Sequence, residues 1–177
     1  MGKRFLFALA LIMLVWGFPD FQDYDARAQE GGQAPLIIDS YAASVIRPGA
    51  SWRIYLHAKD DDGDMKQIVS MLTRTGAGSY PTDFKKIKKK DSKEFAGYLY
   101  LRTPPDNNFI GTTTMNLKIF LSDHQGNKSA PVEFSLKFAL GGAQELPAKW
   151  EKYTKNSLGA ILIDIGGGRR GPGTGGF

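Results

Sequence analysis

Apolar and polar positions alternate along the middle of the chain, between residues 36 and 138. In residues 52–58, Trp52, Ile54 and Leu56 occupy every second position, and residues 95–102, 115–122 and 132–138 follow the same period of two. This period places every second side chain on one face of a β-strand. Gly, Pro, Asp or Asn interrupts the segments roughly every ten residues, which is typical of turns between short strands.

The alternation predicts seven strands. They cover residues 36–45, 52–58, 66–74, 82–89, 95–102, 113–122 and 132–138, and the pattern is weakest in the fourth. No part of this region keeps a helical period. Short strands with one apolar face pack as two sheets face to face, or close into a small barrel.

Three turns strengthen this interpretation: the Arg-Pro-Gly turn at 47–49, the acidic segment at 58–64, and the Asp-x-x-Gly-Asn turn at 123–127. With them, residues 36–140 resemble the bacterial immunoglobulin-like and fibronectin type III-like β-sandwich superfamily. The resemblance implies an all-β fold with seven antiparallel strands. It is a resemblance of fold pattern and implies no functional residues. The inter-sheet Cys pair of antibody domains is missing, and Trp52 lies on the second strand instead of the third.

The first thirty residues predict an export signal. Lys3 and Arg4 precede an uncharged apolar run at residues 5–18, which is shorter than the roughly 20 residues that a membrane-spanning helix needs. Ala26 and Ala28 match the small-x-small pattern of a cleavage site. We therefore expect a signal peptide at 1–28, a linker at 29–35, and an exported protein, periplasmic or extracellular. The alternative is an uncleaved N-terminal anchor or a buried helix.

The pattern changes after residue 140. Trp150, Tyr153 and Leu158 recur at helical spacing, and Pro147 suits a first helical turn. This predicts a short helix over 147–156 within a helical or mixed extension at 141–165, with a strand at 159–165 as the alternative. We expect the extension to cover an edge of the sandwich; the other interpretation is that Trp150 docks on a membrane or a partner. Residues 166–177 predict a disordered Gly/Arg tail.

Composition excludes several kinds of site. The chain has no Cys, so disulfides, iron–sulfur clusters and Cys-ligated zinc are excluded. It has two His, His57 and His124, which excludes a multi-His metal site; His57 is expected to face solvent. The net charge of +5 is too small to predict a nucleic-acid partner. Since the sequence shows no nucleophile elbow or phosphate-binding loop, we expect no enzyme, and a hydrolase using His124 with carboxylates is the remaining enzymatic alternative.

The segment around Gly63 is strongly acidic. Clustered carboxylates on a loop suit a hard cation such as calcium, although the EF-hand pattern is not matched, because Met65 and Met71 stand where it needs Gly and Glu. The alternative is a solvated turn, in which Asp and Gly are favoured locally. In a seven-stranded sandwich this loop shares one end with the 123–127 turn and with the turn at 91–92. The candidate calcium ligands are Asp60, Asp62, Asp64 and Asp123.

Lysines recur between residues 85 and 93, with Phe84, Ile87 and Phe95 interleaved. One interpretation is a basic patch for an acidic polymer such as anionic lipid, lipopolysaccharide or acidic glycan. The other is an edge strand that lysines protect from sheet-to-sheet aggregation. The candidate binding residues are Lys85, Lys86, Lys88, Lys89 and Lys90.

These features predict a non-enzymatic exported module that binds a protein or a surface polymer through its loops or a sheet face. No cofactor is expected unless the aspartates bind calcium. The alternative function is calcium-dependent adhesion or carbohydrate binding. We expect no nucleic-acid partner, and membrane contact would run through the C-terminal extension.

Overall fold

The computed structural model describes residues 32–76, 78–105, 110 and 113–165. All of them belong to one compact unit, Gly31–Phe177. The predicted signal peptide at 1–28 and the predicted tail at 166–177 lie outside the described residues. The elements along the described chain are β1 (Leu36–Ala42), β2 (Val45–Ile46), β3 (Ser51–Lys59), β4 (Met65–Arg74), β5 (Gly78–Ser79), β6 (Asp83–Lys86), a 3-10 turn (Lys89–Asp91), β7 (Glu94–Arg102), β8 (Thr114–Asp123), β9 (Val132–Phe138), α1 (Ala148–Glu151) and β10 (Ser157–Ala160).

The strands form two sheets. Sheet A has the order β1-β3-β7-β10, and sheet B has the order β2-β9-β8-β4, where β5 and β6 both pair with β4. The long strands run antiparallel to their neighbours, whereas β10 is parallel to β7 and β2 is parallel to β9. The first, second and fifth predicted strands thus share one sheet, and the third, fourth, sixth and seventh share the other. This order confirms the predicted immunoglobulin-like sandwich.

The core lies between the two sheets and consists largely of the alternating apolar residues that the sequence pattern identified. Trp52 is fully buried; its Nε1 donates a hydrogen bond to the Ala43 carbonyl oxygen (2.7 Å), and its ring meets Phe134 edge-on with centroids 6.5 Å apart. Buried residues of this kind touch several neighbours at near-crystalline density. The fully buried members include Ile54, Leu56, Leu99, Leu101, Met115, Leu117, Ile119, Leu121 and Leu136.

The first predicted strand is two strands in the structure. β1 pairs with β3 in sheet A, and β2 pairs with β9 in sheet B, so the chain crosses between the sheets at Ala43 and Ser44. The Ala43 carbonyl accepts its hydrogen bond from the Trp52 indole. This bond satisfies a backbone acceptor at the point where the chain leaves one sheet for the other.

The C-terminal extension contains less helix than predicted. α1 ends at Glu151, turns follow to residue 155, and β10 then pairs with β7. The Asn156 carbonyl accepts a hydrogen bond from the Tyr98 amide (2.9 Å), and the Ile161 amide donates to the Tyr100 carbonyl (2.9 Å). From residue 156 onward the chain therefore pairs with β7 as a strand, which agrees with the strand alternative for this segment in type but places it at 157–160. Beyond β10, Ile161, Ile163 and Ile165 are buried in the core, so the extension covers the edge of sheet A.

Gly97 makes the close approach of β10 to β7 possible. A Cβ at Gly97 would clash with the Asn156 carbonyl oxygen and lie 3.1 Å from Leu158 Cγ. We predict that Gly97→Ala lowers the free energy of unfolding by about 1–3 kcal/mol, the usual cost of overpacking, as measured by urea denaturation. The matched control is Gly141→Ala, where a Cβ meets nothing within 4 Å, and it should change stability by less than about 0.5 kcal/mol. Equal stability of the two variants would contradict this account of the β7–β10 contact.

Candidate functional site

Three loops meet at one end of the sandwich, as the predicted topology requires. They are the β3–β4 loop with its aspartates, the β8–β9 loop, and the segment that leads from the 3-10 turn into β7. The Asp60 amide donates to the Lys93 carbonyl (2.8 Å), the Met65 amide to the Ser92 carbonyl (3.1 Å), and the His124 amide to the Asp64 carbonyl (3.2 Å). The acidic and lysine-rich segments of the sequence are therefore neighbours in space.

Two of the four candidate ligands, Asp60 and Asp123, accept hydrogen bonds from residues of their own loops. The buried Asp60 carboxylate accepts the amides of Asp62 and Asp64, both at 3.2 Å. The buried Asp123 carboxylate accepts the amides of Gln125 (2.9 Å) and Asn127 (2.8 Å), and also the Asn127 side-chain amide (2.8 Å). Such bonds from an Asp to the amides that follow it are the local reason why Asp is favoured in turns.

The remaining carboxylates of the β3–β4 loop have different surroundings. The Gln33 amide donates to Asp62 Oδ2, and Asp61 forms an ion pair with Lys59. The hydrogen bond from Lys59 lowers the pKa of Asp61. Asp64 Oδ1 is buried and has no hydrogen-bond partner among the described residues. Asp61 and Asp62 thus interact with Lys59 and Gln33, which lie outside the loop.

Asp60 and Asp64 interact as a pair of carboxyl groups. The pKa of Asp60 is raised, first because burial disfavours its charged form and second because its side chain hydrogen-bonds to that of Asp64. The repulsion between two neighbouring carboxylates is relieved when they share a proton or when a cation lies between them. The described residues contain no group of three or more His, Cys, Asp or Glu side chains arranged to hold a metal ion. Calcium binding therefore stays a prediction from the sequence.

The candidate lysines lie on an edge strand of sheet B and in the turn that follows it. β6 pairs with β4 and, in the part of the chain that the structure describes, with no other strand. Lys86, Lys88, Lys89 and Lys90 are exposed. Lys85 is half-buried and reaches the extension, because a Cβ at Gly159 would lie 2.9 Å from its Nζ. No ion pair holds any of the five among the described residues. Both interpretations of this segment, a binding patch and a protected edge, fit the position of β6.

Trp150 does not offer its ring to a partner in this structure, contrary to the docking interpretation. It is 1 % exposed and packs on the outer face of sheet A, with its ring centroid 5.5 Å from that of Tyr55 and 5.8 Å from that of Tyr153. The neighbouring Lys149 forms an ion pair with Asp39 on β1 (2.7 Å). Burial of the indole against these tyrosines anchors α1 to the sandwich.

The two histidines have different surroundings. His57 was expected to be simply solvated, but its Nε2 lies 2.9 Å from Glu94 Oε1 on the adjacent strand. No local sequence pattern indicates this contact, because Glu94 is 37 residues away. His124 is exposed in the β8–β9 loop, where only its backbone amide has a described bond.

Comparison with known proteins finds similarity at the level of fold only. No family model and no curated protein matches the chain. The chain is similar to the PKD domain of an M14-like peptidase from a Thermoplasmatales archaeon, at 12 % identity and a TM-score of 0.36, covering 61 % of this chain and 98 % of that one. It is also similar to a CARDB domain from Pyrococcus furiosus in complex with di-metal ions, at 11 % identity and a TM-score of 0.34, covering 60 % and 92 %. Among the described residues, no helix has the length and apolar character needed to cross a membrane.

The raised pKa of Asp60 predicts a specific pH dependence. Because the folded state holds this proton more tightly than the unfolded state, whose Asp titrates near 3.8, Asp60 contributes increasing stability as the pH falls from neutral toward that value. In Asp64→Asn the new amide can donate to Asp60 and favour its charged form. We predict that the wild type gains stability relative to this variant as the pH falls. The gain is about 1.4 kcal/mol for each unit by which the substitution lowers the pKa of Asp60.

The measurement is the free energy of unfolding in urea at a series of pH values. Asp62→Asn is the control, because it removes a charge from the same loop and leaves the Asp60–Asp64 contact in place. Its profile should stay parallel to that of the wild type. Parallel profiles for Asp64→Asn as well would show that the two carboxyls do not interact.

Calcium binding has a direct test in a thermal melt with millimolar calcium and then with chelator. A ligand that binds only the folded state raises the melting temperature. Since Asp60 and Asp123 already accept two or three hydrogen bonds each, we expect no shift. A clear rise that the chelator reverses, and that Asp64→Asn abolishes, would instead establish the calcium site.

Proposed function

We propose that the protein is an exported, non-enzymatic binding module that attaches to an anionic polymer or surface through the lysines of β6 and the following turn. Export is supported by the basic start, the apolar run at 5–18 and the Ala-x-Ala pattern ending at Ala28. Binding is supported by one structural observation above the others. The lysines at 86, 88, 89 and 90 are exposed within one short edge segment and have no ion-pair partner among the described residues.

The charge distribution around this segment supports the proposal. The nearby aspartates are occupied with backbone amides or, in the case of Asp61, with Lys59. Hydrogen bonds leave these carboxylates charged, but none of them forms an ion pair with the lysines at 86–90 among the described residues, and unpaired exposed charges attract one another only weakly. A dense group of uncompensated lysines creates a local positive potential that draws anionic ligands to the surface.

The non-enzymatic part of the proposal is supported by the bonding of the groups that catalysis would need. His57 is paired with Glu94 on a sheet face. The Ser129 hydroxyl accepts the Leu121 amide (3.0 Å) and donates to the Ala130 carbonyl (3.0 Å), so it braces the β8–β9 loop. Catalysis by a serine requires a base within hydrogen-bond reach, and no His–Ser hydrogen bond occurs among the described residues.

Calcium-dependent adhesion is the second candidate. One observation favours it: the Asp60–Asp64 carboxyl pair, in which Asp64 Oδ1 is buried without a partner among the described residues. The calcium melt separates this candidate from the first, because lysine-mediated binding to a polyanion needs no calcium.

The lysine proposal is tested by charge reversal. The variant carrying Glu at Lys86, Lys88, Lys89 and Lys90 should bind dextran sulfate, a soluble polyanion, at least tenfold more weakly than the wild type, and should leave a dextran-sulfate column at lower salt. The matched control carries Glu at four exposed basic residues elsewhere, namely Arg47, Lys137, Lys152 and Lys155. Both variants change the net charge equally. If they weaken binding by the same amount, attraction depends on total charge and the proposed patch is wrong.

A further inference from the structure

Phe84, at the start of the lysine segment, faces solvent. It is 61 % exposed, although it lies in a strand whose opposite face meets the core. Its neighbour Asp83 has the inward position, level with Ser70 of β4 and Ile119 of β8, both fully buried. Asp83 Oδ2 and Ser70 Oγ are buried without a hydrogen-bond partner among the described residues. β6 thus turns a carboxylate inward and a phenyl ring outward.

This register works against stability. Burying a polar group without a partner is unfavourable, and so is leaving a large apolar side chain in water. Moving β6 by one residue along β4 would exchange the two positions. Positions where a protein breaks its own patterning rules are expected at functional sites. The outward phenyl ring therefore calls for a ligand that covers it.

The outer face of sheet B around Phe84 has an apolar centre and a basic rim. The strand register places Phe84, Val69 and Phe120 side by side across β6, β4 and β8, and Met71 (43 % exposed) follows Val69 on the same face. Lys86 lies two residues after Phe84 on the same face of β6, and the Lys128 Nζ is 5.8 Å from the centre of the Phe120 ring. Lys118 completes the rim, where it pairs with Glu133 (2.8 Å).

We propose that this face, with Phe84 at its centre, docks on the surface of an anionic lipid bilayer. The inference rests on the proposed lysine patch and adds the ligand: the lysines contact the headgroups while the Phe84 ring enters the boundary between headgroups and acyl chains. Clusters of basic residues near the surface are attracted electrostatically to anionic membranes. Partial insertion of an aromatic ring adds the apolar contribution that distinguishes a membrane from a soluble polyanion.

The composition of the patch favours lipid over a protein partner. Its basic residues, at 86, 88, 89, 90, 118 and 128, are all lysines. Protein–protein interfaces are enriched in Arg and depleted of Lys, because the planar guanidinium forms directed bonds whereas lysine acts as a flexible point charge. A point charge suits a fluid layer of anionic headgroups, whose positions are not fixed.

The test is co-sedimentation of the full chain with vesicles of phosphatidylglycerol and phosphatidylcholine, or of phosphatidylcholine alone, with dextran sulfate binding measured in parallel. All variants keep residues 1–31, so the contribution of this segment is the same in each and cancels when the variants are compared. We expect binding at least tenfold stronger to the anionic vesicles. Phe84→Ser should weaken that binding at least fivefold and leave dextran sulfate binding unchanged. Leu162→Ser, which removes a side chain that is 77 % exposed elsewhere in the domain, should change neither.

The outcomes separate this inference from the proposed function. If Phe84→Ser binds anionic vesicles as the wild type does, while the four-lysine variant loses both ligands, the ligand is a polyanion and the lipid inference is wrong. A loss of both ligands by Phe84→Ser would also overturn it, since the ring would then only shape the lysine patch. If the four-lysine variant binds both the anionic vesicles and dextran sulfate as the wild type does, the proposed function is wrong, and the lipid inference that rests on it is wrong as well. A thermal melt of each variant confirms that it is folded.

Discussion

The pairing of β10 with the edge of β7 is the contact on which the arrangement of the rest of the domain depends. It satisfies the backbone of β7, delivers Ile161, Ile163 and Ile165 to the core, and is allowed by the missing side chain at Gly97. The same path of the chain lays α1 and Trp150 across the outer face of sheet A. One face of the sandwich is therefore covered by the protein itself. The outer face of sheet B, with Phe84 and the lysines, carries no such cover from the described part of the extension.

Acidic and basic residues lie in different segments of the domain, and the lysines give the outer face of sheet B a positive charge. The aspartates lie in the β3–β4 and β8–β9 loops, and most of them brace turns or pair with Lys59. The lysines of β6 and its turn lie close by, with no ion pair among the described residues. Because the described carboxylates form no ion pair with the lysines at 86–90, these lysines are available to an outside anion.

The period-two pattern predicted most of the sandwich because burial of alternate residues is a local property of each strand. The last predicted strand, at 132–138, has the same bounds as β9, and the others differ by a few residues. Contacts between distant segments were beyond such reasoning. Nothing near Gly97 in the sequence indicates that Asn156 will lie against it, and the pairing of His57 with Glu94 follows only from the register of β3 on β7.

The same limit applied to the candidate site. The lysines were identified from their spacing, but a strand read alone would bury Phe84 and expose Asp83. The register between β6 and β4 reverses this and creates the apolar row with Val69 and Phe120. The sequence leaves two interpretations open for Trp150 for a related reason: a large aromatic residue outside the strand pattern can be a docking residue or a buried anchor. Only the position of Tyr55 and Tyr153 decides between them.

Hydrogen–deuterium exchange of the full chain, with and without vesicles containing phosphatidylglycerol, tests the central claim most directly. The account predicts slower exchange in β6, in the turn at Lys89–Asp91 and in the adjoining part of β4, with little change in the β8–β9 loop or in α1. Protection confined to the C-terminal extension or to the aspartate loops, with β6 unchanged, would contradict it.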